Sequence, residues 1–303
     1  MEKDITLKLG LIGFSEGNGH PYSWAAICNG YSPVDMAKCE FPAITQYLNE
    51  RPWPESRLSG VEVSHIWTQD QTISNRVASA SKILKVVQNP IDMIGNVDGL
   101  LLARDDAENH LKYAAPFLKA GIPVYIDKPI ALSLDELEAL YKLQTYQGQI
   151  FTCSALRYAK ELMLSESDRD RIGQIRHIQA TTPNSWEKYA VHIIEPSLQI
   201  IGAPVDIASA RSRAFVGDGR SVSVGFENGI TADFSAFGKG IATPLSLRVH
   251  GENGWIDLVF KDSFSCFKAA LNDFLESVKS KTCRSPKRFN QQVVSIINEG
   301  VKS

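Results

Sequence analysis

The run Val97 to Ala103 (VDGLLLA) constrains the fold most. It is apolar, too short for an ordinary helix and bounded by polar residues, so it reads as a buried strand. Leu7 to Phe14 (LKLGLIGF) is a second such run, and Val61 to Trp67 alternates in a β-rich pattern. Lys85 to Val87 and Val124 to Ile126 are shorter strand candidates. Between them lie helical patterns at Tyr22 to Asn29, Ile73 to Ser81 and Asn109 to Ala120, the last closed by Gly121 as its C′ residue. Strands alternating with helices predict right-handed βαβ units and a parallel sheet. The stretch 31–60 carries Pro33, Pro42, Pro52 and Pro54 around a short helical piece, Ala43 to Leu48, and reads as an insertion.

After Pro129 the texture changes. Ser133 and Glu136 form a capping box opening a helix from Leu134 to Thr145. Strands then dominate: 149–156, 174–181, 209–215, 221–226, 231–237, 246–250 and 255–260. Glu227-Asn228-Gly229 signals a hairpin. Helices interrupt them at Val191 to Ile201 and Phe267 to Lys279. The expected fold is α/β: a doubly wound parallel sheet in an N-terminal domain over residues 1–127, insertion included. An α+β domain with an open, mostly antiparallel sheet follows over 128–303.

Charge narrows the partners. Lys plus Arg number 32 and Asp plus Glu 34, for a net charge of −2. Such balance gives no electrostatic reason to expect nucleic acid or an anionic membrane. The charged start Met1-Glu2-Lys3-Asp4 carries no signal-peptide pattern, and no apolar stretch approaches a membrane span. The five cysteines (Cys28, Cys39, Cys153, Cys266, Cys283) are odd in number, scattered and without C-x-x-C. They predict neither a disulfide framework nor a metal site, and they suit a reducing cytoplasm.

Four candidate sites lie at strand ends of the first domain, where open α/β sheets bind ligands. Gly13, Gly17 and Gly19 follow the first strand and precede a helix, the arrangement that brings backbone N–H groups to a pyrophosphate. The spacing is G-x-x-x-G-x-G. Ser15 and Asn18 replace the glycines of the G-x-G-x-x-G fingerprint, and Glu16 adds a negative charge; Phe14 and His20 complete the candidate loop. Thr68, Gln69 and Asp70 end the second predicted strand. Thr68 stands where an acid would meet the ribose of NAD, and a small neutral residue there leaves room for a 2′-phosphate, so NADP is a candidate as well as NAD. Ala103, Arg104 and Asp105, with His110, follow the central strand, and Arg104 is a candidate for phosphate or a substrate anion. Asp127-Lys128-Pro129 is the fourth. Proline holds Lys128 extended, so its ammonium can meet a substrate hydroxyl or steady an alkoxide. Each motif alone also fits a plain turn or a locally satisfied residue.

In the second domain, Lys188, His192 and Glu195 lie at i, i+4 and i+7, on one helical face. His192 sits among apolar residues and is a candidate general acid or base. Lys188, Tyr189, Arg157 and Glu195 are candidates beside it.

The ordered stretch from Val97 to Leu140, with its strand, His-bearing helix, Ala-Gly turn, strand and Asp-Lys-Pro tripeptide, resembles the glucose–fructose oxidoreductase / inositol dehydrogenase (Gfo/Idh/MocA) family. Asp127 replaces that family's usual Glu. The resemblance implies a Rossmann-type cofactor domain and a second domain whose sheet pairs subunits into homodimers or homotetramers. It implies hydride transfer between NAD or NADP and a sugar, uronate or cyclitol. Lys128 would activate the hydroxyl and His192 would act as acid/base, Lys128 approaching from the other domain. Lys188 stands where the family has Asp. That change suits an altered, anionic substrate first; it is also compatible with a retained neutral-pH base, with Tyr189 or Glu195 taking over part of the role, or with lost catalysis. The alternative to an enzyme is a non-catalytic nucleotide- or sugar-binding regulatory protein on the same fold.

Overall fold

The computed structural model describes residues 6–215 and 217–302; the charged start at 1–4 lies outside them. The chain divides into two compact units. One holds residues 1–130, 139–152 and 267–285, and the other 131–138, 153–266 and 286–303.

In chain order the first elements are β1 (Leu7–Ile12), α1 (His20–Asn29), α2 (Pro33–Met36), α3 (Pro42–Asn49), β2 (Val61–Trp67), α4 (Gln71–Ala80) and β3 (Lys85–Val86). Next come β4 (Gly99–Leu102), α5 (His110–Lys119), β5 (Val124–Ile126), α6 (Leu134–Tyr141) and β6 (Ile150–Phe151). The six strands make one sheet, ordered β3-β2-β1-β4-β5-β6, and every pairing in it is parallel. Strand order reverses between β1 and β4, the switch point beside which such sheets bind ligands. Leu100, Leu101 and Leu102 are fully buried, as a central parallel strand requires. The predicted strand 149–156 shrinks to Ile150 and Phe151, because Ser154 caps a 3₁₀ turn at Ala155–Tyr158.

The remaining elements are α7 (Glu166–Ile172), β7 (Ile175–Thr182), α8 (Trp186–Tyr189), α9 (Val191–Ile201), β8 (Ile207–Ala214), β9 (Arg220–Phe226), β10 (Thr231–Ala236), β11 (Ser246–Gly251), β12 (Trp255–Val259), α10 (Ser263–Ser280) and α11 (Lys287–Val301). Strands β7 to β12 form the second sheet, ordered β12-β11-β7-β10-β9-β8; only β7 and β10 pair in parallel. Helix α9 packs on β7, and α11 packs on β8 and β9. The Ser133–Glu136 capping box is present, with the Glu136 N–H donating to Ser133 Oγ and the Ser133 N–H to Glu136 Oε2.

The units are discontinuous, where sequence reading placed one boundary at residue 127. The chain returns at residue 139 to lay β6 against β5, and again at Phe267 to pack α10 on the same sheet. Aromatic burial explains the second return. Phe274 of α10 lies 5.6 Å from Tyr125 and 5.7 Å from Phe151, and Trp24 stacks on Tyr125 at 4.6 Å. All four side chains are nearly inaccessible. Each stabilises by about 1.5–3 kcal/mol through burial, and no local pattern pairs residues about 150 positions apart.

Candidate cofactor and catalytic residues

In the first unit, the loop between β1 and α1 is held by side chains from three other strand ends. Gln69 clamps Phe14: its Oε1 accepts the Phe14 N–H at 2.9 Å and its Nε2 donates to the Phe14 carbonyl at 2.6 Å. Ser15 Oγ donates to Asp105 Oδ1 at 2.7 Å and accepts the Asp105 N–H at 3.0 Å. Asn18 Nδ2 donates to Asp127 Oδ2 at 2.9 Å. The two residues that break the glycine fingerprint, Ser15 and Asn18, are thus the ones that tie the loop to β4 and β5. Glu16 lies exposed.

Helix α1 begins at His20, with Pro21 in its first turn. His20 Nδ1 approaches Asp127 Oδ2 to 2.6 Å, while its ring stacks on Trp24 at 5.1 Å and meets Phe267 edge-on at 5.0 Å. Burial pushes the Asp127 carboxyl up, but the His20 and Lys128 charges and the His20 and Asn18 hydrogen bonds outweigh it. The net effect holds Asp127 well below the usual carboxylate range. The second Asp127 oxygen accepts the Lys128 N–H at 2.7 Å. Lys128 Nζ stands 3.6 Å from Asp105 Oδ2, both side chains 8% exposed. The cluster Ser15, Asn18, His20, Asp105, Asp127 and Lys128 is therefore one polar network at the carboxyl ends of β1, β4 and β5.

A dinucleotide fits this loop. Among the described residues, the N–H groups of Ser15, Gly17 and Gly19 have no protein acceptor. They lie beside the N-terminus of α1, where a pyrophosphate is favoured. Gly17 has φ +78, and a Cβ added there would meet nothing within 4 Å, so the loop is open at that point. Gly19 is needed for another reason: a Cβ would collide with Phe41 and Ile44 of the insertion.

Other sequence candidates have structural partners. Thr68 is buried and bonds Ser74 Oγ and the Asp70 carbonyl. Asp70 caps α4 by accepting the Thr72 N–H at 2.7 Å. Ala103 extends the β1–β4 ladder. The Arg104 guanidinium pairs with both oxygens of Asp106 and with Gln69. His110 is fully buried and brackets the carbonyls of Arg104 and Ile130 at 2.6 and 2.9 Å.

In the second unit, α9 presents His192 and Glu195 to the 3₁₀ turn at Ser154. His192 Nδ1 lies 2.7 Å from Ser154 Oγ, and Glu195 Oε1 accepts the Ser154 N–H at 2.9 Å. Arg157 Nε stands 3.7 Å from Glu195 Oε2, both buried. Burial pushes the Glu195 carboxyl up to about 7, with Arg157 and the Ser154 N–H pulling back. Arg157 also lies over the rings of Tyr158 and Phe289. Tyr189 meets the His192 ring edge-on at 5.4 Å, and Lys188 is half-buried in the short helix α8. Sequence reading missed Ser154 and the bonding role of Asn18. Ser154 lies 38 residues from its histidine, inside what reads as a strand. Among the described residues, no cluster suits a metal ion and no helix is long and apolar enough to cross a membrane.

Comparison with known proteins defines the class. Residues 45–154 match an oxidoreductase family with an NAD-binding Rossmann fold. The fold extends over the whole chain. A probable dehydrogenase from Thermotoga maritima has 14% identity and a TM-score of 0.72, with 98% of each chain covered. Myo-inositol 2-dehydrogenase from Lactobacillus plantarum has 14% identity and a TM-score of 0.71, again with 98% of each covered. Biliverdin reductase from Synechocystis sp. PCC 6803, solved with biliverdin and NADP+, has 12% identity and a TM-score of 0.69 over 98% of both chains. No curated protein matches the chain at a significant level. The class is an NAD(P)-dependent oxidoreductase. The match to the Gfo/Idh/MocA family model covers residues 45–154, and the likeness of the whole chain to the solved structures is one of fold.

Proposed function

We propose that the chain interconverts a hydroxyl and a carbonyl on a sugar, uronate or cyclitol derivative, with Lys128 and His192 handling the proton. The observation that carries this reading is the Lys128–Asp105 pair at the strand ends beside the glycine loop. The loop N–H groups of Ser15, Gly17 and Gly19 would hold the pyrophosphate of NAD or NADP. When bound, the nicotinamide supplies or accepts the hydride. Lys128 donates a hydrogen bond to the reacting oxygen and steadies its negative charge; Asp105 aims the ammonium. His192 contributes a second proton-bearing group from α9. Lys188, in place of the family acid, favours an anionic substrate such as a uronate. A cytoplasmic homodimer or homotetramer, joined through the second sheet, completes the reading.

The test is fluorescence titration with NAD(H) and NADP(H), then turnover on sugars, uronates and cyclitols, with light scattering for the oligomer. Folded protein that binds neither nucleotide would overturn it.

A further inference from the structure

We infer that Ser154 is a positioning residue that fixes the neutral imidazole of His192 in the tautomer carrying its proton on Nε2. Only the importance of His192 rests on the proposed function; the tautomer itself does not.

Ser154 is fully buried. Its hydroxyl has one proton to give and two lone pairs to offer. The Leu156 N–H occupies one lone pair at 3.2 Å. Among the described residues, the other polar atom within reach of Oγ is His192 Nδ1, at 2.7 Å. If Nδ1 carried a proton, it would point at Oγ, and the hydroxyl proton would be buried with no acceptor. That arrangement is disfavoured about tenfold or more. If Oγ–H donates to Nδ1, every donor and acceptor at Ser154 is satisfied, and the imidazole proton resides on Nε2.

One face of α9 grips the serine twice. His192 and Glu195 are three residues apart, so they project side by side. His192 takes the hydroxyl, while Glu195 takes the backbone N–H at 2.9 Å and is itself paired with Arg157. Ser154 therefore holds the imidazole from the opposite side of the helix–turn contact, whereas Lys188 stands where the resemblance places an acid. A neutral imidazole of this tautomer meets a substrate oxygen as a hydrogen-bond donor, which suits a carbonyl or alkoxide oxygen over a hydroxyl proton to be removed.

The experiment is ¹⁵N NMR of histidine-labelled, tag-free protein without nucleotide, above the titration range of the imidazoles. The chain has six histidines, and His192→Asn assigns the signal. The expected spectrum shows Nε2 protonated and Nδ1 as a hydrogen-bonded acceptor. Ser154→Ala should release that Nδ1 shift and let the tautomers exchange, whereas Glu195→Gln, which keeps an acceptor for the Ser154 N–H, should retain it. A proton on Nδ1 in the unaltered protein, or an unchanged His192 signal in Ser154→Ala, overturns the inference. The unaltered protein alone decides the tautomer if the variant misfolds. Because no nucleotide is present, a chain that binds none still reports it.

Discussion

His20 Nδ1 and Asp127 Oδ2 lie 2.6 Å apart, linking the start of α1 to the end of β5 across 107 residues. Asp127 also receives Asn18 Nδ2 and the Lys128 N–H, so one carboxylate organises the loop and the lysine together. Asp127→Asn should destabilise by about 3 kcal/mol, because it leaves buried donors facing an amide. The native carboxyl titrates below its unfolded value of about 3.9. Its stabilisation is therefore complete above pH ~4 and is lost as pH falls from there toward the depressed native value. Urea unfolding of both proteins from pH 3 to pH 7 should show the gap narrowing at the acid end.

Lys128→Ala should lower kcat by about 10²–10⁴ while nucleotide affinity changes less than tenfold. The ammonium is assigned to the reacting oxygen, whereas the pyrophosphate is assigned to loop N–H groups. Lys128→Arg keeps the charge beside Asp105 but not the compact donor, and should recover only part of the rate. Equal losses in kcat and nucleotide binding would contradict this division of labour.

Most of the first unit was legible in the sequence, since βαβ alternation, Gly121 and the Asp-Lys-Pro turn are local signals. The second sheet was legible from its strands and the Asn228-Gly229 turn. What was not legible depends on contacts distant in the chain. Arg104 at a strand end reads as a candidate for phosphate, and it pairs with Asp106 and Gln69. Ser15 and Asn18 read as lost glycines, yet they bond Asp105 and Asp127. Lys188, His192 and Glu195 read as one helical face, yet Lys188 lies in α8 and His192 and Glu195 lie in α9.

Gly19→Ala should destabilise by about 1–3 kcal/mol through overpacking against Phe41 and Ile44. The backbone at Gly19 has φ −85, which alanine accepts, so the cost is steric. Phe41→Leu in the same chain should restore part of the loss by making room. Thermal unfolding of the single and double variants measures this; a purely additive pair would show that Phe41 is not the obstacle.

Glu195 provides the pH dependence of the second unit, with the opposite sign to Asp127. Its native carboxyl titrates near 7, above the unfolded value of about 4.3. Between those values the native state holds a proton that the unfolded chain has released, so stability falls as pH rises through the window, by up to about 3 kcal/mol. Glu195→Gln has no such proton. Its stability relative to the unaltered protein should therefore improve from pH 5 to pH 8, as read by urea unfolding. The amide still accepts the Ser154 N–H but gives Arg157 no charge, so a constant deficit is superimposed on that slope. A relative stability that does not change with pH would mean that Arg157 keeps Glu195 ionised throughout, and that the pair is a fixed ion pair beneath His192.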